Sequence, residues 1–502
     1  MKSKWVRCLV VVALSLTLFA GCVQEEGKSE ARDSVIVVLE SDIDTLDALQ
    51  SVSVTDTCVA CNIFDKLITY DKTKGAFVPV LAENWSVSDD GKTYTFYLRK
   101  GVKFHNGDEL TAKDVAFTFN EAKECPYRAD VVGQVKEARV VDDYAVEVEL
   151  NDVYAPFLAS MDEFGCIVNE AAYTEQGDAY GENPIGTGPY KFVKRESGQK
   201  IILERFDDYW GELPPIKTVE FRIITDLNTA LIALEAGEVD FLYNIPKISR
   251  EAIDENPDLD LHEYSSTRLT YILMNCDTEP FDNVLIRRAM NYAINKQSVI
   301  EVAEEGLAQE TAGIFSPEIF GFSEVKGYNY DPTEAQQLLK EAGYESGFAV
   351  TLKTMDEGGF RKTAEVIQDN LRSIGVTAKI EVEERNAYIQ DLAKGNYQMG
   401  IIAVSTAPDV GCYSIIFRSG EGGNFSRSSN PRVDELFEAG ERTIVSEDRL
   451  AIYAELAQIL SDDAVVVPLY YPTGVCASKA GLKVDNIWSI GVVEIKDMYW
   501  EQ

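Results

Sequence analysis

The stretch from Leu81 to Asn120 constrains the fold more than any other part of the chain. Every second residue of Tyr94–Arg99 is a large aromatic or aliphatic one, which is the period-2 pattern of a β-strand with one buried face. A turn at His105-Asn106-Gly107 follows. Thr111 then stands three residues before Asp114, which is the spacing of a helix-capping box. The sequence therefore predicts a strand, a turn and a capped helix.

The length and charge of the chain limit its organisation and its partners. Because 502 residues exceed what one hydrophobic core usually supports, we expect two or three domains. The formal net charge of −37 repels nucleic acid and anionic lipid headgroups, which argues against a DNA-binding role. Solubility explains this charge more simply than selection of cationic ligands.

The N-terminus has the layout of a secretory signal. Basic residues precede the apolar run Leu9–Ala20, which is too short to span a bilayer. Leu18–Cys22 resembles a lipobox with Phe19 in place of the usual leucine, so we expect residues 1–21 to be removed and Cys22 to carry lipid. Residues 22–33 would then be a tether. Simple secretion and an uncleaved anchor are the alternatives.

The cysteine pattern gives no evidence of redox or zinc chemistry. Of nine cysteines, Cys8 lies in the signal and Cys22 is the expected lipid site, so an odd number, seven, remains. Cys58-Val59-Ala60-Cys61 lacks a second pair that could complete a zinc site. We expect a local disulfide or buried thiols there, and Cys125 and Cys166 could pair.

Catalytic motifs are missing from the sequence. It contains no phosphate-binding loop, no metalloprotease motif, no nucleophile elbow and no dinucleotide fingerprint. His105 and His262 are the only histidines, and for His105 a turn hydrogen bond is the expected role. We therefore expect no enzyme activity, no cofactor and no metal ligands.

Ordered motifs along most of the chain resemble those of the family 5 extracellular solute-binding proteins, the peptide, oligopeptide and nickel receptors of ABC importers. The region Leu81–Asn120 matches their L-A-x-x-W, D-G-x-x-Y-T-F-x-L-R-x-G-V-x-F-H-x-G and T-A-x-D-V-x-F segments. Further matching segments are Asn183–Phe192, Arg205–Gly211, Leu234–Asp240 and Arg287–Ile294.

The resemblance implies an α/β, two-lobed fold of the periplasmic-binding-protein type II (cluster C) with an extra inserted β-rich subdomain. The expected parts are lobe I at 34–74, 187–266 and 472–502, the inserted subdomain at 75–186, and lobe II at 267–471. Alternating strand and helix patterns in lobe II predict a parallel sheet with right-handed crossovers. Apolar spacing also predicts helices over Asn62–Tyr70 and Val284–Ala303.

The segment Ser405–Tyr413 resembles the family's W-x-x-D-x-x-D-P segment, which lies in the ligand cleft. Asp409 falls on the second aspartate, so the resemblance implies an ammonium-binding carboxylate; a solvated loop carboxylate or a helix N-cap is the alternative. The arginine that dipeptide receptors carry after the strand ending at Thr354 is absent, and Arg268 and Arg385 are candidates to replace it. Other expected ligand contacts are Tyr413, Asn424, Phe425, Tyr243 and Asp56.

The resemblance implies a receptor on the extracytoplasmic side of the membrane that captures peptides or a related small solute between two hinged lobes. Its partners would be ABC permease and ATPase subunits and, through the lipid anchor, the membrane, with the receptor itself a monomer. A nickel-chelate receptor of the same family is one alternative, although two histidines cannot build a multi-histidine nickel site. An extracytoplasmic hydrolase and a chemosensory receptor are the others.

Overall fold

The computed structural model describes residues 32–51, 53–125, 128, 132–164, 166–356 and 359–501. The predicted signal and the predicted lipidation site Cys22 lie outside the described residues. In the described part of the chain, no helix is both long enough and apolar enough to cross a membrane.

The described part of the chain contains both strands and helices, with runs of successive strands in its first half. The strands are β1 (Ser34–Leu39), β2 (Ile68–Asp71), β3 (Ala76–Pro79), β4 (Ala82–Val87), β5 (Thr93–Leu98), β6 (Val135–Asp142), β7 (Ala145–Leu150), β8 (Tyr190–Glu196), β9 (Lys200–Arg205), β10 (Thr218–Ile223), β11 (Phe241–Leu242), β12 (Leu259–Ser265), β13 (Leu269–Met274), β14 (Ala308–Glu310), β15 (Ala349–Met355), β16 (Thr377–Glu383), β17 (Met399–Val404), β18 (Val466–Lys479), β19 (Leu482–Val484) and β20 (Met498–Trp500). The α-helices are α1 (Val54–Ile63), α2 (Ala112–Ala122), α3 (Phe157–Phe164), α4 (Glu170–Gln176), α5 (Leu227–Glu235), α6 (Arg250–Asp254), α7 (Val284–Ala293), α8 (Lys296–Ala303), α9 (Pro332–Glu341), α10 (Phe360–Ser373), α11 (Arg385–Lys394), α12 (Ser414–Phe417), α13 (Pro431–Arg442) and α14 (Ser446–Asp462).

One sheet of twelve strands runs through both lobes, in the order β16-β15-β17-β13-β18-β11-β1-β10-β9-β8, with β12 and β14 also paired to β18. The long strand β18 joins the two halves, because its first part pairs with β13 and β14 and its second part with β11 and β12. The link between β12 and β13 is the other connection. The expected α/β, two-lobed fold is thus confirmed.

The sheet of lobe II is mixed rather than wholly parallel. Strand β15 pairs in parallel with β16 and β17, as predicted from the alternating strands and helices. Strand β13 pairs antiparallel with β17 and with β18. The difference arises because β13 and β18 belong to the crossings between lobes, and such strands need no helical crossover.

The region that opened the sequence analysis forms the expected strand, turn and capped helix. Strand β5 buries Tyr94, Phe96 and Leu98, and the capping box between Thr111 and Asp114 begins α2. With β4, β6 and β7, β5 makes a separate four-stranded antiparallel sheet, as expected for an inserted subdomain. This sheet shares one hydrophobic core with lobe I, whereas a second core runs from Leu269 to Tyr471. The exact domain boundaries stay predictions.

Two predicted helices have the wrong bounds, and the structure decides between disulfides and thiols for the cysteines. A helix was expected over Asn62–Tyr70, but α1 ends at Ile63, where the expected helix begins. The prediction failed because α1 is buried on nearly every side and therefore has no amphipathic period in its sequence. The helix expected over Val284–Ala303 is two helices, and the side chain of Asn295 caps the second. None of the seven described cysteines forms a disulfide, so Cys58 is not bonded to Cys61 and Cys125 is not bonded to Cys166.

Candidate functional site

The floor of the cleft between the lobes is built where β12 and β18 leave lobe I. Tyr264 lies opposite Gly474 on the neighbouring strand. A side chain at Gly474 would overlap the ring of Tyr264, and one at Gly491 would overlap its hydroxyl end. The link residue Thr267 donates a hydrogen bond to Ser489 Oγ at 3.4 Å. Glycine at both positions therefore lets one aromatic ring fill the joint between the lobes.

A buried polar contact fastens the lobes beside this joint. Lys247 of lobe I forms an ion pair with Glu304 of lobe II, whose side chain is 6% exposed. Tyr470 Oη donates a second hydrogen bond to Glu304 at 2.9 Å, and Thr473 N–H donates to Leu307 O at 2.9 Å. The Lys247–Glu304 pair and the Thr473–Leu307 bond each join a residue of lobe I to one of lobe II, so they hold the two lobes together at the hinge.

A pocket of about 460 Å³ opens beside the joint. Its lining residues include Tyr264 and Ser265 of β12, Lys72 of lobe I and Glu318 of lobe II. Lys72 and Glu318 form an ion pair of 2.6 Å between the lobes. A second pocket of about 410 Å³ lies along the same strand, on the lobe I side. The joint is therefore accompanied by concave, polar surface that both lobes contribute to.

In lobe I, two of the predicted contacts lie near helix α1. Asp56, in the first turn, is 1% exposed, and its Oδ1 accepts the Asp44 N–H at 2.9 Å. Burial raises the pKa of its carboxyl. Tyr243 follows β11; its hydroxyl lies beside the Cys58 thiol and makes no further hydrogen bond among the described residues. Asp56 thus holds the loop that contains Asp44. The Tyr243 hydroxyl has no neighbour other than the Cys58 thiol with which to form a hydrogen bond among the described residues.

In lobe II, Asp409 is not a solvated loop carboxylate. It is 1% exposed and begins the turn Val410–Tyr413 as its N-cap, accepting the Gly411 N–H at 2.8 Å. Tyr453 Oη donates to this same oxygen, Oδ1, at 3.2 Å, and the other oxygen, Oδ2, is paired with Arg449. Burial raises the pKa of Asp409, and the guanidinium of Arg449 opposes that rise. Both oxygens of the carboxylate are thus engaged within lobe II.

The other candidate residues of lobe II differ in whether their side-chain polar groups already have hydrogen-bond partners. The Asn424 amide donates to Arg418 O and Ser428 O at 3.0 and 2.9 Å, so it is committed to its own loop. Phe425 packs partly buried on the lobe II core. Tyr413 is fully buried with its hydroxyl beside Thr406, and it makes no further hydrogen bond among the described residues.

The two predicted arginines are exposed and lie in different segments of lobe II. Arg268 is in the link between β12 and β13, where its N–H donates to Ser266 Oγ at 3.1 Å. Arg385 is the first residue of α11. Neither is shown to contact the other candidates, and a ligand role for all eight residues stays a prediction.

The partners of Asp409 were missed by sequence reasoning. Arg449 lies over the ring of Phe320 at 4.7 Å and over that of Tyr453 at 5.2 Å. Arg449 and Tyr453 are four residues apart on α14, so both face the same side of a helix that the sequence did predict. The four-residue spacing indicates that Arg449 and Tyr453 act on the same side of the helix, but it does not identify Asp409 as their partner.

Burial makes His105 and two of the described thiols poorly suited to react with a substrate. The His105 ring is held by backbone groups of Gly186 and Gly188, and burial lowers its pKa to about 4. Burial raises the pKa of the Cys58 and Cys476 thiols to about 12, which makes them poor nucleophiles. Within the described ranges, no cluster of three histidine, cysteine, aspartate or glutamate side chains could hold a metal ion.

Solved structures share this fold over nearly the whole chain. The peptide-binding protein DppA from Helicobacter pylori, solved with the peptide STSA, has a TM-score of 0.78 at 28% identity and covers 94% of this chain and 99% of its own. CtaP from Listeria monocytogenes has a TM-score of 0.87 at 24% identity, covering 94% and 100%. NikA from Brucella suis, solved with Fe(III)-EDTA, has a TM-score of 0.85 at 24% identity, covering 93% and 100%. The last two show the fold alone.

Sequence comparison gives the same family. The dipeptide-binding protein of Escherichia coli K12 is 31% identical over an alignment of 454 residues that covers 82% of this chain and 84% of that protein. The glutathione-binding protein GsiB of Salmonella typhimurium is 30% identical over 458 residues, covering 88% and 89%. The sequence profile of the bacterial extracellular solute-binding proteins, family 5 Middle, matches residues 76–425. The chain therefore belongs to the family 5 bacterial extracellular solute-binding proteins, which are binding proteins and not enzymes.

Proposed function

We propose that this protein captures a short peptide, or a related small solute of peptide-like chemistry, between its two lobes and delivers it to an ABC permease. The observation that carries the proposal is the hinge: one shared strand and one short link join two separately packed lobes. A guest that binds the closed form better than the open form shifts such a hinge towards closure. The dipeptide- and glutathione-binding relatives support peptide chemistry for the guest.

We infer that the hydroxyls of Tyr243 and Tyr413 contact this guest, one from each lobe. Both are buried, and each lacks a full set of partners among the described residues. A buried hydroxyl without a strong partner favours a ligand that supplies one. Arg268 and Arg385 are proposed to serve the guest's carboxylate, in place of the arginine that the sequence lacks.

The test is native mass spectrometry of the purified protein, followed by calorimetry with a panel of dipeptides, tripeptides and glutathione. We expect a co-purified solute of peptide-like mass and saturable binding of at least one panel member. Tyr413→Phe and Tyr243→Phe should each weaken binding by about 1 kcal/mol, since one hydrogen bond is lost without change of shape. Tyr97→Phe, at an exposed position of β5, is the matched control.

Two results would contradict this proposal. Binding of a nickel chelate with no binding of any peptide would assign the protein to the other branch of the family. Turnover of a panel member would instead support the hydrolase alternative. Unchanged affinity in both tyrosine variants would leave the peptide assignment standing but remove these hydroxyls from the site.

We further propose that Cys22 carries the lipid that holds the receptor at the outer face of the cell membrane. The lipobox-like Leu18–Cys22 supports this. The Cys22→Ala substitution should move the protein from the membrane fraction to the soluble fraction, which cell fractionation measures. Retention of this variant in the membrane fraction would contradict the proposal.

A further inference from the structure

Apart from the contacts at the hinge, the inserted subdomain touches lobe II directly. After β7, the Ala155 N–H donates a hydrogen bond to the backbone carbonyl of Glu441 at 2.6 Å. Next to it, Asp152 forms an ion pair of 3.2 Å with Arg442 at the end of α13. The contact therefore joins one short segment of the subdomain to one helix end of lobe II.

The same segment also meets the turn that follows Asp409. A methyl group added at Gly411 would lie 2.5 Å from Pro156 Cγ of the subdomain and 2.6 Å from Tyr453 Oη of lobe II, both closer than nonbonded atoms can approach. Tyr154 Oη lies 3.9 Å from Cys412 Sγ. Gly411 is thus the position at which the proline ring rests on the backbone of lobe II.

The buried ion pair of lobe II keeps this turn in place. Asp409 accepts the Gly411 N–H at 2.8 Å and is paired with Arg449 of α14. The turn is therefore anchored to a long helix and presents a fixed surface to Pro156. We attribute the pairing of Asp409 with Arg449, both in lobe II, to this anchoring of the turn.

We propose that Asp152–Pro156 and the lobe II surface formed by Gly411, Cys412, Glu441 and Arg442 are a latch that stabilises the closed form, with or without a bound solute. The inference deepens the proposed function, since it takes the two lobes to open and close. All of its bonds join protein groups to each other, so the latch needs no guest. Its strength then sets how much of the binding energy of the solute is needed for closure.

The experiment is amide hydrogen exchange at Ala155 in the solute-free protein, combined with a charge-swap cycle. Arg442→Asp or Asp152→Arg alone places like charges across the latch, and exchange at Ala155 should become about fivefold faster. The double variant Asp152→Arg/Arg442→Asp should recover part of the lost protection, because the pairs of Asp152 with Lys92 and of Arg442 with Glu438 are not restored by the swap. Lys136→Glu, which breaks an exposed ion pair within the subdomain, is the control and should leave Ala155 unchanged.

A glycine substitution tests the latch by shape rather than by charge. Gly411→Ala should increase the radius of gyration in solution scattering and expose the Ala155 amide. Gly422→Ala, in the same lobe with open space around it, should do neither. An Ala155 amide that exchanges freely in the wild-type protein, or a double swap that rescues nothing, would overturn the latch. Neither result bears on peptide binding, which the calorimetry measures separately.

Discussion

At the scale of single residues, Asp409 shows how one side chain can match a family motif and still be used differently. Its carboxylate is fully buried, capped onto its own turn and paired with Arg449. Removing one member of a buried ion pair leaves the other charge without a partner in a low-dielectric environment. Asp409 should therefore contribute more to the stability of lobe II than to ligand affinity.

The corresponding prediction concerns unfolding of the Asp409→Asn variant. We expect its free energy of unfolding, from urea titration, to fall by about 3 kcal/mol, because Arg449 stays buried without an anion. The double variant Asp409→Asn/Arg449→Gln should recover part of this loss. If instead urea unfolding is unchanged while calorimetry shows weaker solute binding, Asp409 binds the guest's ammonium as the resemblance implied.

At the scale of elements, the parts predicted well are those whose signals are local. The alternation in β5 and the capping box of α2 are written in adjacent residues, and both are confirmed. The strand β18 runs for fourteen residues through both lobes, which no local pattern reveals. Likewise, the partner of Asp409 lies forty residues away along the chain. Pairing at such distances depends on the whole fold, so sequence periodicity cannot supply it.

His105 links the turn after β5 to the segment that precedes β8. His105 Nε2–H donates to Gly188 O at 3.0 Å, and Nδ1 accepts the Gly186 N–H at 3.4 Å. The imidazole must be neutral to make both bonds, since a protonated Nδ1 would face another donor. Burial accordingly lowers its pKa from 6.5 to about 4.

This geometry predicts a pH dependence of stability. The unfolded histidine takes up a proton near pH 6.5 and the folded one only near pH 4, so its contribution is complete above pH 6.5 and is lost as the pH falls. Between pH 7 and pH 5 the loss should be about 2 kcal/mol. Urea unfolding of the wild type and of His105→Gln at both pH values measures it. An equal loss in the variant would show that other groups cause the dependence.

At the scale of the whole molecule, the lobes share more than a flexible link. Strand β18 pairs within both lobes, Leu307 of lobe II packs against a hydrophobic cluster of lobe I, and Lys247 pairs with Glu304 across the joint. Unfolding one lobe would strip β18 of half its partners. The hinge should therefore allow rotation of the lobes while their unfolding remains coupled.

Tryptophan fluorescence can test this coupling, because every described tryptophan lies in lobe I or its inserted subdomain, namely Trp85, Trp210, Trp488 and Trp500. Circular dichroism reports the helices of both lobes. We expect the two signals to follow a single urea transition with the same midpoint, as one cooperative unit does. In Gly474→Ala, where the new methyl group collides with Tyr264, the two midpoints should separate. Separate midpoints already in the wild-type protein would mean that β18 connects the lobes without coupling their stability.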